Sequence, residues 1–209
     1  MTTLSTQIRQ NYELGNVQHM TDFENLESIF SNGEILSHNQ VNSQNVTITD
    51  ISNVSVQTGR AIITIPCTGK ALHNYVPLYW GKKTPMVSAL RERNDSLVFL
   101  MFSTNLLAEY DCVISDGNAR TAGTSFRSYT QLSDLDLLTP KDINTHKYAH
   151  DTEVKRRKQS ELLVLDRLPL KHLLYLVCPS NEVKLKVEAL KTTHGVNCGV
   201  CIGGGNYYY

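Results

Sequence analysis

The pattern of hydrophobic positions first predicts a short amphipathic helix from Phe23 to Ser31. Its apolar residues recur at spacings of three and four, which places them on one helical face. The segment Thr21-Asp-Phe-Glu24 is typical of a capping box, in which the Thr hydroxyl and the Glu carboxylate each satisfy a free backbone N–H. Gly33 provides the left-handed residue that commonly ends such a helix.

Most of the other hydrophobic runs are short and rich in β-branched or aromatic residues, which is typical of strands. The predicted strands are Arg60–Ile65, Leu97–Phe102, Cys112–Ser115, Glu161–Leu165, Leu173–Cys178 and Gly199–Ile202. Further helices are predicted at Thr104–Tyr110 and Asn181–Thr193, and loops at Ser37–Asn45 and Asp116–Leu138. Because strands outnumber helices and do not alternate with them regularly, the pattern indicates an α+β fold.

Composition narrows the classes of protein that fit this pattern. The chain has 209 residues, 41% of them hydrophobic and 19% charged, which fits one globular domain spanning residues 1–209. Twenty Lys and Arg balance twenty Asp and Glu, so overall charge does not favour binding to polyanions, and only a local basic patch would serve that purpose. No stretch is apolar and long enough to span a membrane, and the first fifteen residues lack the apolar core of a secretory signal. Five cysteines are too few for a disulfide scaffold, which predicts a cytoplasmic location.

Two phosphate-binding signatures are missing, and a metal site is only half formed. The glycine cluster Gly203–Gly205 is not followed by the helix that a dinucleotide-binding loop needs, and Gly69-Lys70 lacks the other residues of a P-loop. Cys198-Gly-Val-Cys201, with His194 four residues before it, resembles half of a zinc site. A buried strand is the alternative interpretation of that segment, and we expect no metal.

Two polar residues stand at the borders of apolar elements. His19 precedes the predicted helix, so its ring would point toward a helix N-terminus that favours anions. The alternative is a histidine that only closes a turn. Glu161 opens an apolar strand shortly after four cations, a position that a carboxylate rarely takes unless it is paired or functional. A solvated helix end is the alternative there.

The segment Asn74–Val87 concentrates aromatic residues and prolines. Tyr75 and Tyr79 share one side of the segment if it is extended, as Pro77 favours. Such a rigid aromatic surface suits stacking on a flat ring such as nicotinamide or a nucleobase. A wedge in the core is the alternative.

Taken in order, these segments resemble the DarT family of DNA ADP-ribosyltransferase toxins. The matching blocks are His19-Met-Thr21 with Asn25-Leu-x-x-Ile29-x-x-x-Gly33, Tyr75-Val-Pro-Leu-Tyr79 with Thr84-Pro-Met86, Ser115-Asp-Gly-Asn-Ala119, Arg157-Lys-Gln-Ser-Glu161 and Asn206-Tyr-Tyr-Tyr209. The resemblance covers essentially the whole chain, and five ordered blocks are more specific than any one of them.

The resemblance implies two facing β-sheets that form an NAD cleft with peripheral helices, and an enzyme that transfers ADP-ribose from NAD to a base in single-stranded DNA. Glu161 and Arg60 would be catalytic, Glu161 by positioning the NAD ribose and the incoming base, and Arg60 by helping to deprotonate the base and to hold the NAD phosphates. His19 and Thr21 would hold the nicotinamide riboside end, and Tyr75 or Tyr79 would stack on nicotinamide. The full set of expected NAD contacts is His19, Thr21, Asn25, Gly33, Tyr75, Tyr79 and Met86.

The DNA would contact the loop from about Asn118 to Tyr148, and a local basic face beside the cleft is expected to include Arg120, Arg127, Lys82 and Lys83. The resemblance further implies a macrodomain antitoxin that hydrolyses ADP-ribose from DNA, and we expect a monomer without a membrane partner. Two alternatives stay open: transfer to protein or RNA, and a non-catalytic module that binds NAD. The sequence does not decide between thymine and guanine as the modified base.

Overall fold

The computed structural model describes residues 2–52 and 54–208. The α-helices are α1 (Leu4–Tyr12), α2 (Leu26–Asn32), α3 (His38–Ser43), α4 (Val54–Ala61), α5 (Pro85–Ala89), α6 (Pro140–Asn144), α7 (Thr152–Arg157) and α8 (Asn181–His194). The strands are β1 (Val17–Asp22), β2 (Glu34–Leu36), β3 (Tyr75–Tyr79), β4 (Leu97–Phe102), β5 (Cys112–Ser115), β6 (Phe126–Ser128), β7 (Glu161–Leu165), β8 (Arg167–Pro169), β9 (Leu173–Cys178) and β10 (Gly199–Ile202). Short 3-10 helices occupy Phe23–Asn25, Leu72–Asn74, Arg91–Arg93, Thr104–Ala108, Leu132–Leu137 and Leu170–His172.

Eight strands form one sheet in the order β10-β9-β4-β1-β3-β7-β5-β6, and β2 pairs with β8 in a separate small sheet. All pairs are antiparallel except β9 with β10. The α+β class predicted from the hydrophobic pattern is therefore confirmed. Within the described residues, no helix has the length and apolar character needed to cross a membrane.

The eight-stranded sheet is weakly joined at its centre. Strands β1 and β3 share a single residue pair, Gln18 opposite Tyr79, whereas β1 and β4 share six pairs and β3 and β7 share five. Two four-stranded halves thus meet at one point and separate from there, which gives the two sheet surfaces that the resemblance implies. The junction is reinforced because the Gln18 amide donates to the Gly81 carbonyl at 2.8 Å and accepts from the Asn206 amide at 2.8 Å.

The side chains of β3 alternate between the hydrophobic core and the opposite face of the strand. Val76 and Leu78 are fully buried in the main hydrophobic core with residues of α1, α2 and α8. Tyr75, Pro77 and Tyr79 point to the opposite face, since successive strand residues alternate, and this face borders the gap between the two sheet halves. The same strand therefore anchors the fold and lines a cleft.

Two of the predicted segments differ from the structure. The predicted strand Arg60–Ile65 is wrong, because Arg60 lies in the last turn of α4 and only the bridge between Thr64 and Ala71 follows it. The residues after Arg60 find no neighbouring strand beyond this bridge among the described residues, and Ile62 is 81% exposed. The loop predicted at Ser37–Asn45 contains α3, which buries only Val41 and so shows no periodic pattern. Helix α1 likewise buries only Ile8, and the pattern did not predict it.

The first predicted helix is present, but its N-terminal cap is different. Phe23–Asn25 forms a 3-10 turn before α2, and the Asp22 carboxylate caps it by accepting from the Glu24 N–H at 3.1 Å. The capping box between Thr21 and Glu24 is therefore wrong. Thr21 remains available for a different contact, described below, while Gly33 ends α2 with φ +69° as predicted.

The other predicted elements are largely confirmed. The strands at β4, β5, β7, β9 and β10 have the predicted bounds, and α8 extends the predicted late helix by one residue. The Asp116–Leu138 segment is not entirely irregular, since it contributes β6 to the sheet edge and a 3-10 turn. Of the predicted aromatic C-terminal block, Tyr209 lies outside the described residues, and Tyr207 is fully buried with its hydroxyl bonded to the Leu97 and Val177 carbonyls.

Candidate active site

A cavity of about 420 Å³ lies where β1 and β3 separate. Its walls come from β1, β3, α4, α5 and the segments around residues 34–52 and 118–120. The volume falls in the range of sites that take small molecules and cofactors. This is the cleft that the two sheet halves create.

Glu161 lies behind the cleft wall, where it is completely buried and does not itself line the cavity. It opens β7 directly opposite Tyr79 of β3, and its backbone N–H donates to the Ser115 hydroxyl at 3.1 Å. The carboxylate Oε1 accepts from the Ala119 backbone N–H at 2.9 Å. A carboxylate with these partners is fixed in one orientation, which suits a group that must meet a developing charge.

Arg60 binds the same carboxylate through both ends of its guanidinium. Nη1 donates to Oε1 at 3.3 Å and Nη2 donates to Oε2 at 3.1 Å, so the pair is bidentate. Burial alone would lower the pKa of Arg60, but the Glu161 carboxylate outweighs burial and raises it. The Arg60 side chain is 13% exposed and lines the cleft, so it covers Glu161 from the cleft side.

The two tyrosines of β3 have different surroundings. Tyr79 lines the cleft beside the ion pair, and its pKa is raised by burial and by the Glu161 charge. Tyr75 is 3% exposed, packs with Leu163 in a core cluster, and donates its hydroxyl to Thr68 at 3.0 Å. Both border the cleft, but Tyr79 is the one next to Glu161.

The β1 wall presents the His-x-Thr segment. Nδ1 of His19 lies 3.0 Å from the Pro77 carbonyl across the gap, and burial lowers the pKa of this ring. The Thr21 hydroxyl accepts from the Asn25 amide at 2.9 Å, and the same amide bonds both the carbonyl and the N–H of Thr49. Asn25 therefore ties the 45–52 segment to the β1 wall.

The structure brings together most, but not all, of the residues expected at the site. His19, Thr21, Asn25, Tyr75, Tyr79, Met86, Arg60 and Arg120 line the cleft. Gly33, Lys82, Lys83, Arg127 and Glu161 lie outside that lining. Glu161 is joined to the cleft through its ion pair with Arg60, and the Lys83 ammonium lies over the Tyr208 ring at 5.4 Å from its centre. Among the described residues, no group of three or more His, Cys, Asp or Glu side chains is arranged to hold a metal ion.

Two histidines in the cleft were missed by the sequence analysis. His38 at the start of α3 and His73 in the turn before β3 have ring centres 4.3 Å apart, and both line the cavity. They are 35 positions apart in the chain, so no local pattern links them. The one signal in the sequence is that His73 lies two residues before Tyr75, the first aromatic residue of the segment Asn74–Val87.

Because the pKa of His73 is lowered, we expect the stability of the fold to depend on pH between about 4 and 6.5. Burial, together with the neighbouring His38 and the Arg60 charge, lowers its pKa from 6.5 to about 4. Between these values the unfolded chain binds a proton that the folded chain does not, so the free energy of unfolding falls as pH drops from 6.5 toward 4. Urea unfolding across this range should show a shallower pH dependence in His73→Gln than in the wild type. An equal pH dependence of the free energy of unfolding in the two proteins would contradict the lowered pKa of His73.

The sequence of this chain matches one family model and several known proteins. A family model described as ssDNA thymidine ADP-ribosyltransferase, DarT, matches residues 18–209. A DNA ADP-ribosyl transferase of Escherichia coli O127:H6 is 26% identical over 199 residues, covering 88% of this chain and 89% of that protein. A DNA ADP-ribosyl transferase of Thermus sp. is 26% identical over 162 residues, covering 73% of this chain and 76% of that protein.

Solved structures show the same fold. Thermus sp. 2.9 DarT in complex with ADP-ribosylated ssDNA superposes with a TM-score of 0.86 at 24% identity, covering 94% of this chain and 97% of that one. The same Thermus protein in complex with NAD+ gives 0.80 at 23% identity, covering 92% and 97%. Thermosipho africanus DarTG in complex with ADP-ribose gives 0.78 at 19% identity, covering 90% of this chain and 49% of that one. With the family model matching residues 18–209, the resemblance found in the sequence is confirmed, and the chain belongs to the DarT family of single-stranded DNA thymidine ADP-ribosyltransferases.

Proposed function

We propose that this protein transfers ADP-ribose from NAD to the thymine base of single-stranded DNA, and that it acts as the toxin of a toxin–antitoxin pair. The observation that carries the proposal is the buried Glu161 carboxylate, which binds through both oxygens to Arg60, a residue of the cleft lining. The family description names thymidine as the acceptor, which favours thymine over guanine.

Glu161 and its neighbours have the chemistry that this transfer needs. When the bond between ribose and nicotinamide breaks, nicotinamide leaves as a neutral molecule and positive charge develops on the ribose. The fixed Glu161 carboxylate stabilises that charge, and the Tyr79 ring beside it offers a flat surface for nicotinamide. A bond then forms between the ribose carbon and the base, whose proton passes to water.

Arg60 connects this chemistry to NAD binding. In the structure its guanidinium is occupied by Glu161, and the carboxylate lies beneath it. The diphosphate of NAD is an anion that competes for the same fork of donors. We infer that Arg60 turns toward the diphosphate when NAD enters, which uncovers Glu161 for the ribose.

We infer that His19, Thr21, Asn25 and Met86 contact NAD from the β1 and α5 walls, because all four line the cleft. Gly33 lies outside the lining and ends α2, so its contribution is the sharp exit of the chain that leads into β2.

Single-stranded DNA is a fitting acceptor because its bases need not be unstacked from a duplex before they reach the cleft.

Four basic residues are proposed to hold the DNA backbone. Arg120 lines the cleft and packs over the backbone of Gly59, and Arg127, Lys82 and Lys83 lie beyond the cleft lining.

Arg127 on β6 is exposed, so its substitution tests a single phosphate contact. Arg127→Gln should weaken oligonucleotide binding and reduce the slope of log affinity against log salt by about 0.7. Lys186→Gln on α8 is the control and should leave the slope unchanged; equal slopes in all three proteins would remove Arg127 from the interface.

The partner and the location follow from the toxin assignment. A macrodomain antitoxin that removes ADP-ribose from DNA is the expected neutraliser, and the DarTG chain of Thermosipho africanus, of which the match covers 49%, is compatible with such a pairing. We propose that this protein acts as a monomer in the cytoplasm, where single-stranded DNA is available during replication.

The experiment that tests the acceptor class uses labelled NAD. Purified protein is incubated with NAD that is radiolabelled in its adenylate moiety and with a cell lysate, and the labelled product is then treated with DNase, RNase or protease. The proposal predicts label that only DNase releases. Label that survives DNase and is released by RNase or protease would overturn the DNA assignment.

A further inference from the structure

The His73 side chain is buried in the cleft with a polar atom that has no partner. Its residue is 8% exposed, and no hydrogen bond to Nε2 is found within residues 2–52 and 54–208. Buried polar atoms are nearly always paired, so an exception in a ligand cavity calls for a functional explanation. Because the residue lines the cavity, a polar atom of a ligand is the simplest partner for this nitrogen.

Three ionisable residues line the cavity together with His73. His38 of α3 contacts His73 with ring centres 4.3 Å apart and ring planes tilted by 42°, and Arg60 of α4 lines the same cavity. The charge of the Asp50 carboxylate also acts on the ring, and its oxygens already accept from the N–H and hydroxyl of Ser52 and from the Gln57 amide. This part of the cleft therefore offers hydrogen-bond donors and a positive charge.

We propose that His73, held in place by His38, donates a hydrogen bond from Nε2 to the diphosphate of NAD beside Arg60. The inference rests on the proposed function, in which NAD is the co-substrate. The diphosphate is the only anionic part of NAD, and Arg60 is the cleft cation that must exchange the Glu161 carboxylate for another anion. A second donor next to Arg60 holds the diphosphate in place once the guanidinium has turned. His73 is thus a positioning residue that acts on the part of NAD remote from the reacting bond.

The test measures how three ligands bind to His73→Leu: ADP-ribose, adenosine and nicotinamide. Loss of a hydrogen bond to a charged phosphate should weaken ADP-ribose binding by about ten- to a hundredfold. Adenosine and nicotinamide lack the diphosphate, so their affinities should stay within about twofold of the wild type. His73→Gln, whose amide can reach the position of Nε2, should recover most of the ADP-ribose affinity.

The controls separate this inference from its premises. His172→Leu changes a partly buried histidine outside the cleft and should bind ADP-ribose like the wild type. Unchanged nicotinamide binding in His73→Leu shows that the variant is folded. Equal ADP-ribose affinity in His73→Leu and the wild type would overturn the inference, as would a matching loss for adenosine. Failure of the wild type itself to bind ADP-ribose would instead overturn the proposed function.

Discussion

Replacing Glu161 by Gln is expected to reduce the rate of DNA modification by about 10²–10³-fold while the protein stays folded. The amide has nearly the same shape, so its oxygen can still accept from the Ala119 N–H that now bonds Oε1. What it lacks is the negative charge that stabilises the ribose as nicotinamide leaves. The rate is measured in single-turnover reactions with a labelled oligonucleotide, and folding is measured by thermal unfolding.

This substitution also makes a prediction about binding. Because Arg60 would no longer face a carboxylate, its guanidinium would be free for the diphosphate, so NAD affinity should be equal to or higher than that of the wild type. Glu153→Gln is the matched control: Glu153 is an exposed carboxylate on α7 that pairs with Arg156 and Arg157. It should leave the rate unchanged. A Glu161→Gln rate within tenfold of the wild type would contradict the assigned role.

Removing Arg60 should have the largest effect on stability. In Arg60→Ala the completely buried Glu161 carboxylate would keep, among residues 2–52 and 54–208, only the Ala119 N–H as a partner, and breaking a buried pair in this way costs about 3–5 kcal/mol. The free energy of unfolding, measured by urea titration at neutral pH, should fall by that amount. Activity should also be lost, because no fork of donors remains for the diphosphate.

A double-mutant cycle distinguishes this ion pair from a general loss of packing. Arg60→Ala combined with Glu161→Gln removes both charges, so the double variant should be more stable than Arg60→Ala alone. Arg167→Ala is the control for an exposed pair: Arg167 bonds Glu34 with half of its side chain exposed, and its loss should cost about 0–1 kcal/mol. Strictly additive effects of the two cleft substitutions would contradict a coupled pair.

The sequence predicted the buried carboxylate of Glu161 better than its surroundings. A lone Glu at the start of an apolar strand is a local anomaly, and the structure places Glu161 at that position with no exposure. Arg60 was nominated from the family resemblance, although its predicted strand is a helix. That helix was missed because its short sequence has no strong apolar face, and the β-branched residues after it drew the prediction toward a strand.

The remaining features depend on long-range packing. The cleft exists because β1 and β3 share only the pair Gln18–Tyr79, a property of sheet geometry that no local pattern contains. The His38–His73 contact joins α3 to the turn before β3, and each histidine alone looks unremarkable in the sequence. Thr21 was assigned a capping role by spacing, yet Asp22 caps the turn and Thr21 bonds Asn25 instead.

The most direct test of the central claim is mass spectrometry of defined single-stranded oligonucleotides after incubation with NAD. One set contains thymine in varied contexts, and a matched set replaces every thymine by cytosine or guanine. We predict the mass of one ADP-ribose added to thymine-containing strands, none on the matched set, and none with Glu161→Gln. Equal modification of strands without thymine, or nicotinamide release with no strand modified, would contradict the claim that this protein modifies thymine in DNA.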